Sequence, residues 1–238
     1  MKLVVNKDSF KRFLDLLTLF GENQIKEGLL NIQKDKISSL VKSPTNTIGI
    51  GVSLKGKFED IGEIGIDDLA LFENSLNIQS KDDVSFEVKD NKIIISSGKI
   101  KSSLVLRKSD YIKNKPKEED FKKHVDTASG NEFLLTKENI STLMEAFNLI
   151  KSDTVVITGN SKSVKFTFNR LDNEIETSID LKKEIKEFRT TVSSTFLFLL
   201  NLIKEDLIVS IKKDVPAILI NHKNSEIEVN YIVAPYGK

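Results

Sequence analysis

Few residues in this sequence have the type and spacing that catalysis needs. The 238-residue chain has no cysteine and two histidines, which excludes thiolate nucleophiles, disulfides and Cys-ligated metals. His124 falls in a predicted linker and His222 in a predicted hairpin turn, without a group to orient either as a base and without metal-ligand spacing. Asp67 and Asp68 form a carboxylate pair, but adjacent helical residues point in different directions, and acids at a helix N-terminus commonly act as caps. The sequence also lacks P-loop, dinucleotide-binding and nucleophile motifs, so we expect no enzyme, no metal site and no cofactor.

The second chemistry that these residues allow is contact with phosphate groups. With 36 basic and 35 acidic side chains and a net charge of +1, bulk charge does not draw the chain to nucleic acid or membrane. Local asymmetry is nevertheless present, because Lys11 and Arg12 lie on a predicted helix face opposite its apolar residues, with Lys7 at the start. A phosphate-binding face and an ordinary solvated face are both compatible with this pattern.

The elements that position these cations are four copies of one apolar helix pattern. Each copy has the i, i+3, i+4, i+7 spacing that places four side chains on one face of a helix. Glu73 is the one polar break among the four sets, which are Phe10, Phe13, Leu14, Leu17; Leu69, Phe72, Glu73, Leu76; Ile140, Leu143, Met144, Phe147; and Phe196, Leu199, Leu200, Ile203. We predict helices over about residues 8–20, 67–78, 137–150 and 194–203.

A short strand precedes each predicted helix, and three strands follow it. Alternating apolar and polar residues, as at 164–168 and 227–231, indicate a sheet with one covered face. Residues 107–128 are charged, contain Pro116 and show no clear periodicity, which predicts a linker. The sequence therefore predicts an α+β protein with two similar domains, 1–107 and 129–238, joined by a connecting linker at 108–128. Each domain would contain two β-α-β-β-β units, with helices on one face of antiparallel sheets.

Two short C-terminal motifs resemble those of DNA polymerase sliding clamps of the proliferating-cell-nuclear-antigen type and their tailed-phage relatives. Asp214-Val215-Pro216 begins one strand, and Tyr231-Ile232-Val233-Ala234-Pro235 ends the next, as in the closing hairpin of that family. The fourfold repeat, the charged linker and the length extend the resemblance over the whole chain. The resemblance implies two clamp domains in a ring, usually of three chains, that encircles double-stranded DNA. It also implies a processivity factor that tethers a DNA polymerase and other replication proteins and is opened by an ATP-driven clamp loader.

In such a ring the helices line the channel and contact DNA independently of its sequence. The resemblance therefore implies DNA contacts by helix-associated cations, namely Lys7, Lys11, Arg12, Lys81, Lys137, Lys151 and Lys204. The other outward helix faces are less basic, since they carry Asp67, Asn74, Glu138, Glu145, Leu197 and Phe198. We therefore expect a weakly basic channel.

Ring closure requires strand edges that another subunit can pair with. By family position these edges are residues 99–107 and 173–181. The candidate interface residues carry opposite charges on the two edges: Lys99, Lys101 and Arg107 on the first, and Glu174, Glu176 and Asp180 on the second. Opposite charges favour a head-to-tail homotrimer, although charged residues also protect ordinary edge strands.

Partner docking in the family uses an apolar pocket between the linker, the first domain and the C-terminal tail. The matching residues are Leu40, Val41, Tyr111, Ile112, Pro216, Ala234, Pro235 and Tyr236. Tyr111 and Ile112 form an apolar pair in a charged segment, and either a docking pocket or a simple attachment of the linker to a sheet would explain them.

The alternative to a clamp is a non-enzymatic structural or assembly protein that uses the same duplicated sheets for subunit contacts. For either protein we expect a location inside the cell. This would be the cytoplasm of a prokaryotic or virus-infected host, or the nucleus of a eukaryote. The N-terminus has no apolar signal region, and no stretch approaches the ~20 apolar residues that span a bilayer, so we expect neither secretion nor a membrane partner.

Overall fold

The computed structural model describes residues 2–19, 21, 24–213, 215 and 217–236. The chain forms two compact units. Unit 1 contains the residues through Glu118 together with Lys223–Val229, and unit 2 contains Glu119–His222 and the residues from Asn230 onward. The division falls inside the segment that the sequence predicts to be the linker.

Unit 1 alternates helices with runs of antiparallel strands. In chain order its elements are β1 (Lys2–Asn6), α1 (Lys7–Leu17), β2 (Gly28–Ile32), β3 (Lys36–Lys42), β4 (Ile48–Lys55), β5 (Gly62–Ile66), α2 (Leu69–Asn77), β6 (Asp83–Lys89), β7 (Lys92–Ser97) and β8 (Ile100–Val105). Strands β1-β6-β7-β8 form one sheet, and β5-β2-β3-β4 neighbour one another in a second. The turn at 223–229 joins this unit through a 2.8 Å hydrogen bond from Lys55 N to the Glu226 carbonyl.

Unit 2 repeats this plan after one additional helix. Its elements are α3 (Glu118–Ala128), β9 (Asn131–Leu135), α4 (Lys137–Ile150), β10 (Thr154–Asn160), β11 (Ser163–Arg170), β12 (Asn173–Asp180), β13 (Phe188–Ser193), α5 (Thr195–Ile203), β14 (Leu207–Ile211), β15 (Ile218–Lys223) and β16 (Ile227–Val233). Strands β12-β11-β10-β13 form one antiparallel sheet, and β16-β15-β14-β9 neighbour one another in a second. The predicted α+β class with antiparallel sheets is confirmed.

The apolar helix faces build the cores, as the periodicity predicts. In unit 1, Phe10 lies at the centre of an aromatic cluster, with its ring centroid 4.9 Å from that of Phe86 and 5.9 Å from that of Phe72. In unit 2, Ile140 and Leu143 of α4 and Phe196 and Leu200 of α5 are buried. Burying each such side chain contributes about 1.5–3 kcal/mol, so the repeated faces are a main source of stability in each unit.

Side-chain caps mark where α1, α2 and α4 begin. Asn6 Oδ1 accepts from Ser9 N at the start of α1, and Asp68 Oδ1 accepts from Leu71 N at the start of α2. The predicted capping role of the acid pair is thus confirmed for Asp68. Thr136 and Asn139 form a reciprocal capping box at α4, which begins and ends where the sequence predicts.

The interpretation of residues 107–128 as a segment without periodic structure is wrong. A short 3₁₀ helix covers Ser109–Tyr111, and α3 covers Glu118–Ala128. The missed signal was the i, i+4, i+7 spacing of Phe121, Val125 and Ala128, together with three acids in the first turn, which favour a helix N-terminus. The many charged residues of this segment made the narrow apolar stripe of α3 difficult to recognise in the sequence.

Candidate functional site

In unit 1 the candidate DNA-binding cations lie on and around α1 and α2. Lys7 is half-buried, and its Nζ donates to the Gln79 carbonyl at 3.1 Å, just beyond the C-terminus of α2. Lys11 Nζ lies 4.0 Å from Glu73 Oε1. Glu73 is therefore more than a break in the apolar pattern, because it faces a cation on α1. Arg12 is half-buried and Lys81 is exposed beyond α2.

In unit 2 the candidate cations lie at helix ends. Lys137 is the first residue of α4, and its backbone N donates to Asp206 Oδ1 at 2.8 Å. Lys151 and Lys204 follow α4 and α5, with φ of 51° and 60° respectively. All three side chains are exposed, and the cations at the two C-termini complement the helix dipoles.

The helices of unit 2 also expose apolar side chains. The Phe147 and Phe198 rings meet edge-to-face with centroids 5.5 Å apart, Phe198 is 49% exposed, and Leu149 is 79% exposed. The expectation that Leu197 faces outward is wrong, since it is fully buried. α5 is apolar around most of its circumference, and Leu197 extends its buried face beside Leu200.

Both predicted interface strands lie at the edges of their sheets. β8 is the last strand of β1-β6-β7-β8, and β12 is the last strand of β12-β11-β10-β13. Lys101 is exposed on β8 and Lys99 immediately precedes that strand, while Glu174, Glu176 and Asp180 are exposed along β12. Each edge thus carries charges of one predominant sign.

Glu176 also has a partner within its own sheet. Its Oε1 accepts from Lys165 Nζ at 2.7 Å and from Thr167 Oγ1 at 3.2 Å. The hydrogen bond from Lys165, together with the positive charge of that residue, lowers the pKa of Glu176 below its ordinary value. This carboxylate therefore keeps its negative charge in mildly acidic solution.

Arg107 lies beyond β8 and is engaged inside unit 1. Its backbone N donates to the Gly65 carbonyl at 2.9 Å, and its guanidinium contacts Glu27 and Asp67. No side chain larger than glycine fits at position 65, since a Cβ there would lie 2.3 Å from the Arg107 carbonyl oxygen. The structure thus separates Arg107 from Lys99 and Lys101, with which the sequence grouped it.

Residues 107–115, which we call the strap, are held on unit 1 by three further contacts. Lys113 N donates to Glu27 Oε1 at 2.7 Å, and Lys115 Nζ contacts Glu63 at 3.2 Å. Lys42 N donates to the Asn114 carbonyl at 2.9 Å, at the end of β3. Among these anchors Ile112 is buried at 5% exposure, whereas Tyr111 is 61% exposed. Ile112 therefore attaches the strap to the unit, and Tyr111 remains accessible.

The other candidate docking residues differ in exposure. Val41 is fully buried and Leu40 is half-buried on the opposite face of β3. In unit 2, Ala234 and Pro235 are half-buried, and the exposed Tyr236 donates from its backbone N to the Thr191 carbonyl at 2.8 Å. Pro216 and Asp214 lie outside the described residues.

A groove of about 640 Å³ adjoins the strap in unit 1. Its lining is mostly polar or charged and includes Lys26, Glu27, Pro44, Arg107 and Lys113. The candidate apolar docking residues do not line it, so it differs from the apolar pocket that the resemblance implies.

The two histidines differ from each other in environment. His124 is exposed on α3. His222 lies in β15, not in a turn as expected, and is buried, with Nδ1 2.8 Å from the Asp206 carbonyl oxygen and Nε2 3.5 Å from Glu205 Oε2. In the described part of the chain, no three His, Asp or Glu side chains cluster as metal ligands would. No helix described here is both long and apolar enough to cross a membrane.

Solved structures with the same fold are DNA polymerase clamps. PCNA of A. fulgidus, solved with the C-terminal region of FEN-1 bound, matches 100% of this chain and 98% of its own, with a TM-score of 0.77 and 14% identity. Proliferating Cellular Nuclear Antigen of Entamoeba histolytica matches 99% of this chain and 98% of its own, with the same TM-score and identity. The DNA polymerase III beta subunit of Thermotoga maritima matches with a TM-score of 0.78 and 8% identity.

The present chain spans 65% of the length of that beta subunit and 65% of a putative one from Eubacterium rectale. No protein-family model matches the sequence, and no curated protein matches it. The structural matches establish that the chain has the sliding-clamp fold.

Proposed function

We propose that this chain is a sliding clamp, a processivity factor that closes into a ring around duplex DNA and tethers a DNA polymerase. The observation that carries the proposal is the match of the fold over the whole chain, which covers 98% of the length of A. fulgidus PCNA. The exposed helix-end cations and the oppositely charged sheet edges support it. The function requires no catalytic group and no cofactor.

A topological tether holds DNA by encircling it, so its contacts need only be diffuse. Exposed Lys81, Lys137, Lys151 and Lys204 suit phosphate contacts that are independent of base sequence. Lys7 and Lys11 add less, because each already has a partner in unit 1. A weakly basic surface allows the ring to slide.

We further propose a head-to-tail homotrimer that is loaded by an ATP-driven clamp loader. The proposed location is the cytoplasm of a prokaryotic or virus-infected cell, or the nucleus of a eukaryote. Tyr111 and Tyr236 expose their side chains while their backbone N–H groups are hydrogen-bonded, and tyrosine is enriched among residues that dominate binding energy at interfaces. We propose that they anchor the polymerase and other replication partners.

Two measurements on the purified full chain test the clamp proposal. Light scattering should give the mass of three chains. Rings that assemble from dissociated subunits in the presence of closed circular duplex DNA should stay on it and leave once the circle is linearised. For DNA contacts we expect Lys81→Gln, Lys151→Gln and Lys204→Gln together to weaken binding to linear duplex. The control is the same change at three exposed lysines in or next to hairpin turns, Lys34, Lys89 and Lys162.

A structural or assembly protein is the second candidate function. The exposed Phe198 ring, which packs against Phe147, favours it, because contact with DNA does not require an exposed aromatic side chain. A stable oligomer that shows no preference for circular over linear DNA would support this candidate and contradict the clamp.

A further inference from the structure

Edge strand β8 carries a row of side chains that extends the core of its sheet. Ile100, Ser102 and Leu104 are half-buried, whereas Lys101, Ser103 and Val105 are exposed. The half-buried row lies opposite three buried residues of β7, in the pairs Ile93–Leu104, Ile95–Ser102 and Ser97–Ile100. The core therefore reaches β8 and stops there for lack of a further strand.

Edge strand β12 ends its sheet in the same way. Its half-buried residues are Ile175, Thr177 and Ile179. They lie opposite fully buried residues of β11, in the pairs Phe168–Ile175, Phe166–Thr177 and Val164–Ile179. The order of the rows is similar in the two strands, with an apolar residue on each side of a hydroxyl residue.

Backbone hydrogen bonds show which groups point outward from each edge. Leu106 N donates to the Asn91 carbonyl at 2.7 Å, and Leu181 N donates to the Lys162 carbonyl at 2.7 Å. Because hydrogen-bonded and non-hydrogen-bonded residues alternate along an antiparallel pair, the even-numbered residues of β8 and the odd-numbered residues of β12 face their own sheets. The free N–H and C=O groups therefore belong to residues 101, 103 and 105 of β8 and 174, 176, 178 and 180 of β12. These are also the residues with exposed side chains.

In both edge strands, the residues whose backbone groups point outward are those whose side chains are exposed. This fact decides whether β8 and β12 can pair parallel or antiparallel. In an antiparallel pair, two residues that point their backbone groups at each other lie directly opposite and have side chains on the same face. In a parallel pair, a residue that bonds across lies opposite one that points away, so the exposed row of one strand would join the half-buried row of the other. Only the antiparallel direction continues both cores.

We infer that β8 of one copy pairs with β12 of the next copy in the antiparallel register that sets Ser102 opposite Thr177. This inference rests on the proposed ring, and it specifies the register of that contact. It places Ile100 opposite Ile179 and Leu104 opposite Ile175, so that two apolar pairs lie on either side of a hydroxyl pair. On the exposed face the register sets Lys101 opposite Ser178, with Glu176 and Asp180 as its diagonal neighbours, within reach of its long side chain.

Two other antiparallel registers, each shifted by two residues, also keep the half-buried rows of β8 and β12 on one face of the joined sheet. Their facing side chains match less well. A shift that sets Ser102 opposite Ile179 also sets Leu104 opposite Thr177, and it keeps one apolar pair, Ile100 with Leu181. The other shift, which sets Ser102 opposite Ile175, pairs Ile100 with Thr177 and Leu104 with Asn173. Each shift places hydroxyl or amide groups against apolar side chains of the half-buried rows. Each also sets Lys101 opposite an acid, Asp180 in the first and Glu176 in the second, but an exposed charge pair contributes little, less than the apolar contacts that the shift loses.

Disulfide formation tests the register directly, because the chain contains no cysteine of its own. Ser102 and Thr177 form a non-hydrogen-bonded pair in the inferred register, with Cα atoms about 4.5 Å apart, inside the range for a disulfide. Mixing a Ser102→Cys chain with a Thr177→Cys chain makes a mixed disulfide possible only between copies. After mild oxidation we expect this mixture to give a cross-linked dimer on a non-reducing gel.

The matched controls replace Thr177→Cys with Ile175→Cys or Ile179→Cys. These diagonal positions lie about 7–8 Å from residue 102 in the inferred register, at or beyond disulfide reach, so we expect at least about tenfold slower cross-linking. Faster cross-linking of either control would overturn the register, as would no cross-linking at all in protein that forms rings by light scattering. Parent protein that stays monomeric at all concentrations would instead overturn the clamp proposal itself, and the register with it.

Discussion

Glu27 joins two separate parts of the strap through one carboxylate. Its Oε2 accepts from the Arg107 guanidinium at 3.2 Å, and its Oε1 accepts from Lys113 N at 2.7 Å. The side chain is only 13% exposed, so solvent screens these bonds less than it screens a surface pair. The position of Tyr111, which lies between the two contact points, therefore depends on Glu27.

We expect Glu27→Gln to loosen the strap, because the amide keeps the shape of the side chain but loses the charge that strengthens both bonds. The free energy of unfolding should fall by about 1–2 kcal/mol in urea titrations, and amide exchange at Lys113 should accelerate. Glu63→Gln is the control, since the exposed Lys115–Glu63 pair contributes less than about 0.5 kcal/mol. Equal losses in the two variants would contradict a special role for Glu27.

A second prediction for a single residue concerns the pH dependence of the Glu176 carboxylate. The hydrogen bond from Lys165 holds its pKa below the ordinary value of 4.5 in the folded protein. The contribution of the Glu176 carboxylate to the free energy of unfolding is therefore fully present above pH 4.5, its ordinary pKa. It is lost as the pH falls through the lowered pKa. In Lys165→Met we expect a carboxyl carbon NMR titration to show the pKa of Glu176 back near its ordinary value. Lys162→Met, which removes an exposed turn lysine on the same sheet, should leave it unchanged.

Among the secondary-structure elements, α4 and α5 share an uncommon ending. Lys151 and Lys204 have left-handed φ of 51° and 60°, a conformation that glycine adopts without strain and that costs other residues roughly 1–2 kcal/mol. A lysine at each position carries this backbone cost, which the interaction of its charge with the helix dipole offsets in part. This choice is consistent with a role in phosphate contact.

Two substitutions at these helix ends separate stability from DNA contact. We expect Lys151→Gly with Lys204→Gly to raise the unfolding free energy by up to about 1 kcal/mol per site, while binding to linear duplex weakens. Lys151→Gln with Lys204→Gln should weaken DNA binding equally without the gain in stability. The slope of log affinity against log salt should become shallower by about 0.9 for each lost phosphate contact. Unchanged DNA binding in both variants would exclude these lysines from the DNA surface.

The same elements show what the sequence could and could not predict. α4 was predicted to the residue, because its apolar spacing, capping residue and length agree. α3 was missed because its stripe is narrow, and Leu197 was misplaced because an almost wholly apolar helix has no clear polar face. The engagement of Arg107 by Glu27 and Asp67 depends on contacts 80 and 40 residues apart, which periodicity cannot reveal.

For the molecule as a whole, the charge balance implies that ring closure and DNA contact in the proposed clamp depend on different interactions. A chain of net charge +1 gains little from bulk attraction to DNA, so in the proposed clamp the hold on DNA comes from encirclement. In the inferred register, closure joins two mainly apolar rows, while exposed charged neighbours such as Lys101 and Asp180 add roughly 0–1 kcal/mol each. Salt should therefore weaken the contact with DNA much more than it weakens the ring.

The resulting prediction is that salt releases the protein from linear duplex well before it releases it from closed circles. At about 0.5 M salt, where phosphate contacts are strongly weakened, we expect loss from linear DNA and retention on circular DNA of the same length, measured by gel filtration of the complexes. A ring closed around the circle by oxidation of the Ser102→Cys, Thr177→Cys double variant is the control. If salt releases the parent protein from circles while the oxidised ring stays, the ring opens in salt. Charge pairs between subunits, and not the apolar rows, would then hold the ring closed. Equal release of the parent protein from circles and linear duplex, with the oxidised control also released, would mean that the protein does not encircle DNA.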